Sequence, residues 1–180
     1  MISESWFYVA VVVTAAGAIG VGVVLPAVGQ SIASRAANEA IARQPDEEPT
    51  LSRNLFVALA MIESLALYVL IVALVLLFAN PLENDATRAA AAGKAQFWFV
   101  SGSAVMAGVT IMLGTTLAAV GQGRVAASAM RAIAEQPEAR DAISTTLYIS
   151  LALLESLALY ALIVALILLF ANPLTGKVLP

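Results

Sequence analysis

The chain has 180 residues, 61% of them hydrophobic and 12% charged, with a net charge of −3 and a mean hydropathy of +0.93. Soluble globular domains carry about 25% charged residues, so this composition excludes one and points to a membrane protein. The chain has no Cys and no His. Disulfide frameworks and thiolate metal sites are therefore excluded, a zinc or haem site would need carboxylates alone, and no cofactor is expected. The charge balance leaves no footprint for nucleic acid.

Met1-Ile-Ser-Glu-Ser-Trp6 lacks the basic region and small-residue cleavage site of a secretory signal, so the first apolar run is expected to stay as a transmembrane helix. From Trp6 to about Ala42 the residues are apolar or small. Gly17, Gly20, Gly22 and Gly29 leave part of one helical face without bulk, where another helix can come close, and Pro26 predicts a local bend. The polar segment Arg43-Gln-Pro-Asp-Glu-Glu-Pro49 ends this helix. A second helix is predicted from about Thr50, as N-cap, to Ala79, where Asn80-Pro81 stops it. Residues 82–95 read as a polar, Ala-rich linker. A third helix opens with Phe97-Trp98-Phe99 and carries Gly102, Gly108, Gly114, Gly121 and Gly123. It turns at Glu135-Gln-Pro-Glu-Ala139, and a fourth helix returns to Ala171.

The second half repeats the first. Glu63 to Pro81 recurs ninety-two positions later as Glu155 to Pro173, and across these nineteen residues only Val69/Ala161 and Val75/Ile167 differ. Each run is long enough to cross a bilayer. The predicted fold is an all-α membrane protein of four transmembrane helices, arranged as two tandem antiparallel hairpins over 1–81 and 96–180 with the linker between them. Trp6, Phe78, Trp98 and Phe170 should form an interfacial belt on one side. Arg35, Arg43, Arg53, Arg124, Arg131 and Arg140 flank the two turns, against Arg88, Lys94 and Lys177 at the other ends. That excess predicts turns facing the cytoplasm.

Few strongly polar side chains remain at membrane depth: Gln30, Glu63, Ser64 and Tyr68, with their copies Gln122, Glu155, Ser156 and Tyr160. An ionisable group there is costly, so function is the default reading. Gln30 lies fourteen residues before Gln44 and Glu63 fourteen after Pro49. Both then stand about 21 Å from the turn, and are level. Glu63 and Ser64 point about 100° apart around their helix, so one hairpin cannot turn both to one ion. If hairpins stand side by side in a ring, Glu63 and Gln30 face Ser156 and Tyr160 of the next hairpin, while Glu155 and Gln122 face Ser64 and Tyr68 of another. One site lies within the chain and its equivalent between chains, which requires a homo-oligomer in contact with membrane lipid. The cargo must be small and positive, a proton or a sodium ion. Glu, Gln, Ser and a backbone carbonyl, of Met61 or Leu153, are hard oxygen ligands that favour sodium.

These residues are similar to the proteolipid, or c-type rotor subunit, of rotary F-type ATP synthases, here with two hairpins fused. The resemblance is carried by Gly29-Gln30, Ala42-Arg43-Gln44-Pro45, Glu63-Ser64 and Leu77-Phe-Ala-Asn-Pro81. Their repeats are Gly121-Gln122, Gln136-Pro137-Glu138, Glu155-Ser156 and Leu169 to Pro173. It implies a ring rotating against an a-type stator subunit, whose arginine displaces the ion from each Glu. It also implies a central stalk docked on the turns at Arg43, Gln44, Pro45, Gln136 and Pro137, with any ATP chemistry on partner subunits. A bacterial or archaeal inner membrane is the expected location. The Gln, Glu-Ser and Tyr set resembles sodium-driven members, although Leu65 and Leu157 stand where those often have Thr, and Glu135 replaces the turn arginine in the second copy. A small four-helix cation/proton secondary transporter is the alternative.

Overall fold

The computed structural model describes residues 5–179, and every regular element among them is helical. Met1–Glu4, on which part of the uncleaved-segment expectation rests, lies outside the described residues, as does Pro180. In chain order the elements are α1 (Ser5–Gly22), α2 (Val24–Arg43), a 3₁₀ turn (Pro45–Glu47), α3 (Glu48–Phe78), α4 (Glu83–Ala92), α5 (Lys94–Glu135), a second 3₁₀ turn (Pro137–Ala139), α6 (Arg140–Phe170) and α7 (Thr175–Val178). Four rods, Ser5–Arg43, Pro45–Phe78, Lys94–Glu135 and Pro137–Val178, are long and apolar enough to cross a membrane. A rod of 42 residues is about 63 Å long at 1.5 Å per residue, roughly twice the hydrocarbon thickness. Its ends therefore stand clear of the acyl chains.

The predicted first helix is α1 and α2 joined at Val23. Pro26 has no N–H, so the Gly22 carbonyl loses its partner one turn on, and the ladder continues around the gap through Val23 N to Ile19 O and Ala27 N to Val23 O, both 3.2 Å. At the first hairpin turn Gln44 takes φ −134° and ψ 75°, outside the helical region that a following proline disfavours. Gln136 before Pro137 repeats it at −137° and 77°. Thr50 is not the cap of the second long helix. That helix starts at Glu48 with Pro49 in its first turn, where a missing N–H leaves nothing unsatisfied. Asn80 ends the same helix as expected, its side-chain oxygen accepting from Leu82 N at 3.0 Å, and Asn172 does the same for Leu174 N at 3.1 Å.

The linker contains a helix. In and just before α4, Leu82, Ala86 and Ala89 fall on one face and are buried with Phe97 and Val100. Gly93 then breaks the chain at φ 154°, in the region that favours glycine.

The long helix α5 is central, packing against α1, α2, α3, α4 and α6. Against α2 it packs backbone to backbone. A Cβ at Gly29 would run into the Ala119 carbonyl, and one at Gly123 into the Gly29 carbonyl. In lipid no hydrophobic force drives helices together, so close backbone approach supplies the dispersion contacts that hold them. Gly22, Gly108 and Gly114 likewise meet Val69, Thr14 and Ala161, whereas Gly17, Gly20 and Gly102 look onto open space. Apolar clusters fill both ends of the bundle, and a smaller one, Ile62, Leu65, Ala119 and Ala158, lies between them at the level of the acids.

Candidate functional site

Glu155 on α6 is met from α3 by two donors of one helical face, four residues apart. Ser64 Oγ lies 2.7 Å and Tyr68 OH 2.6 Å from Glu155 Oε1. Ser64 Oγ is also 2.7 Å from the Met61 carbonyl. Gln122 on α5 is fully buried, and its Nε2 donates to the Leu151 carbonyl at 3.1 Å. This differs from a Gln122–Glu155 pairing: the side chain turns toward the backbone of α6 one turn before the acid. Two oxygens at this centre, Gln122 Oε1 and Glu155 Oε2, are buried without a hydrogen-bond partner. Unpartnered buried acceptors are rare, and each calls for an explanation such as an ion.

The first copy holds the other half of the same arrangement. Gln30 Nε2 donates to Glu63 Oε2 at 2.8 Å on an exposed edge of the chain. Among the described residues no hydroxyl reaches Glu63. Its counterparts to Ser64 and Tyr68 are Ser156 and Tyr160, on the far edge of α6. There Ser156 Oγ donates to the Leu153 carbonyl at 2.8 Å and Tyr160 is 60% exposed. One constellation is thus assembled inside the chain, and the equivalent one is divided between two open edges. The 100° offset between Glu63 and Ser64 is the cause: Ser64 turns inward to Glu155 while Glu63 turns out.

The chain matches the family of ATP synthase C-type subunits twice, over residues 13–76 and again over 105–168. It belongs to that family. Among similar proteins, the c-type ATP synthase subunit numbered 2 of Cereibacter sphaeroides is 58% identical over 73 residues, which are 41% of this chain and 88% of the relative. The chloroplastic c-type ATP synthase subunit of Emiliania huxleyi is 51% identical over 78 residues, 43% of this chain and 95% of the relative. The c-type ATP synthase subunit of Dictyoglomus thermophilum is 46% identical over 80 residues, 44% and 95% respectively. Each alignment takes in most of the relative and under half of this chain, which is therefore a tandem proteolipid. As such it is an integral membrane, ring-forming member of the ion-translocating sector rather than a catalytic one, and the transporter alternative falls away.

The turn residues of this proteolipid present themselves outward. Arg43, Pro45 and Gln136 are exposed, with Gln44 and Pro137 half-buried. Polar groups that local sequence patterns do not pick out lie nearer the turns. Asn54, fully buried, donates through Nδ2 to Ser144 Oγ at 2.7 Å and accepts from Tyr148 OH. Arg140 Nη1 meets Glu47 Oε1 at 2.6 Å. The signal that could have found them is a position-by-position comparison of the two copies, which match at Glu63/Glu155 but not at Asn54/Thr146 or Phe56/Tyr148.

Proposed function

We propose that this proteolipid carries sodium through the membrane, bound on Glu155 within each chain and on Glu63 between consecutive chains of the ring. The observation behind this reading is the pair of buried, unpartnered oxygens, Gln122 Oε1 and Glu155 Oε2. Ser64 Oγ lies against both Glu155 and the Met61 carbonyl, and oxygens of these kinds are the hard donors that replace the water around an alkali cation. A carboxylate facing acyl chains is costly. A bound monovalent cation cancels that charge, so a loaded site can travel through lipid while an empty one cannot. Unloading then needs a fixed positive charge, which the arginine of an a-type stator subunit supplies. The polar turns at Arg43, Gln44, Pro45, Gln136 and Pro137 lie on the cytoplasmic side and dock the central stalk.

Proton carriage is the second reading, and one observation favours it. Ser64 has a single hydroxyl proton but lies 2.7 Å from two acceptors, Met61 O and Glu155 Oε1. A protonated Glu155 resolves this by donating to Ser64 Oγ while Ser64 donates to Met61. The two readings separate in one experiment, carbodiimide labelling of the intact ring across a pH series with and without sodium. Sodium carriage predicts that sodium slows labelling of both glutamates at every pH where labelling occurs. Labelling that follows pH alone establishes the proton.

A further inference from the structure

The two kinds of junction in such a ring are not built alike. Inside the chain, where hairpin one meets hairpin two, Asn54 on α3 bonds Ser144 and Tyr148 on α6, and Glu47 at the first turn pairs with Arg140 at the start of α6. Glu47 is buried although Arg140 is half open, so this pair is shielded on one side from the screening that weakens surface ion pairs. The ninety-two-residue repeat shows what stands at the corresponding places between chains. Thr146 replaces Asn54, Phe56 replaces Tyr148, Ala139 replaces Glu47 and Glu48 replaces Arg140. Ser52 alone is kept, matching Ser144. Thr146 cannot span to Ser52 as an amide does, Phe56 has no hydroxyl to give, and Ala139 offers Glu48 no charge.

The inner helices differ in the same sense. Within the chain Gly123 lies so close to Gly29 that a Cβ would collide with its backbone. Its counterpart between chains is Ser31, facing the neighbour's Gly121. A serine there has the Cβ that the first crossing excludes, so the second crossing must be wider.

A second copy of this chain is what the open edge fits. Val125, Ala129, Ala142, Thr146 and Ser150 line an empty groove of about 370 Å³ between α5 and α6. The equivalent positions of hairpin one are Ala33, Ala37, Thr50, Asn54 and Ala58. Of these Ala33, Ala37, Asn54 and Ala58 are buried, in or beside the cluster that also contains Met130, Ile133 and Leu151 of hairpin two.

We propose that a ring of this chain alternates two unlike junctions, a close one latched by Asn54–Ser144–Tyr148 and Glu47–Arg140 inside each chain and a wider, unlatched one between chains, and that it comes apart at the unlatched ones. This rests on the rotor-ring function proposed for the chain. The test is the temperature at which purified rings fall to single chains in detergent gels. Thr146→Asn with Phe56→Tyr copies the polar latch onto the chain boundary, and Ala139→Glu with Glu48→Arg copies the ion pair there. Each should shift ring dissociation upward. Asn54→Thr with Tyr148→Phe removes the latch within the chain, where the peptide linker still holds the hairpins, and should leave the dissociation temperature in place. The ion-pair variant lies at the turns and decides the matter if the buried one does not assemble. An unchanged or lowered temperature in the assembling boundary variants, or a drop with the within-chain variant as large as the boundary gain, overturns the latch. A wild-type chain that forms no ring overturns the rotor function instead.

Discussion

Tyr68→Phe isolates one bond at one of two otherwise matched acids. Its hydroxyl donates to Glu155 Oε1 at 2.6 Å, and removing it leaves the ring carbon frame in place. A hydrogen bond to a charged group contributes about 1.5–3 kcal/mol net. Because Tyr68 is only half-buried, the lower end applies, and about 1.4 kcal/mol is tenfold in an equilibrium constant. The sodium concentration that half-protects Glu155 from carbodiimide should therefore rise about tenfold. Glu63 supplies the control within the same molecule, since in the proposed ring its phenol is Tyr160 of a neighbour, and Tyr160→Phe should move Glu63 and spare Glu155. Peptides around the two acids differ at Val69/Ala161, so mass spectrometry reads both rates from one sample. If Tyr68→Phe shifts Glu63, or both acids equally, the assignment of phenols to carboxylates is wrong.

Glu155→Gln should abolish labelling at 155 and ion transport by the assembled complex while rings still form, because an amide keeps the shape but cannot cycle its charge; gel electrophoresis and vesicle transport measure the two. Gly123→Ser places a Cβ against the Gly29 carbonyl, and overpacking of this kind costs about 1–3 kcal/mol; the thermal unfolding midpoint followed by circular dichroism should fall. The chain has no Cys, so a single Cys at Asp46 or Glu138 gives a clean probe of orientation. An impermeant maleimide should reach it from the cytoplasmic face alone, and less well once the stalk is bound.

The hairpins were legible because apolar runs, Asn-Pro stops and a two-fold repeat all agree. The facing of Ser64 and Tyr68 toward Glu155 was legible too, since 100° per residue forces consecutive side chains apart whatever surrounds them. Placement of the Gln122 amide was not. Gln122 can reach either the acid or a backbone carbonyl, and only the packed position of α6 selects the Leu151 oxygen. The helix in the linker was hidden by its polar composition, although Leu82, Ala86 and Ala89 already show the i, i+4, i+7 spacing of a one-sided helix. Asn54 lies in the second turn of α3. Its burial depends on which neighbouring helix lies alongside α3, which no local pattern contains.

Where the copies have diverged follows from what each region must do. Seventeen of the nineteen residues from Glu63 to Pro81 are repeated unchanged, but only six of the nineteen from Gln44 to Ile62 are. In the rotor proposed for this chain every acid meets the same stator charge, so both carboxylates and their hydroxyl and phenol donors would have to bind alike, and the segment that carries them would have little freedom. The contacts nearer the turns only hold neighbours together. In a ring of single hairpins one surface has to fit an identical copy on each side, and a residue added to one face must be accepted at every junction. Fusing two hairpins removes that constraint: Asn54 can be matched to Tyr148 while Thr146 and Phe56, at the same depth, remain unmatched. A tandem chain can therefore tighten alternate junctions without altering its ion chemistry, as the arrangement of Glu63, Glu155 and the Asn54 network reflects.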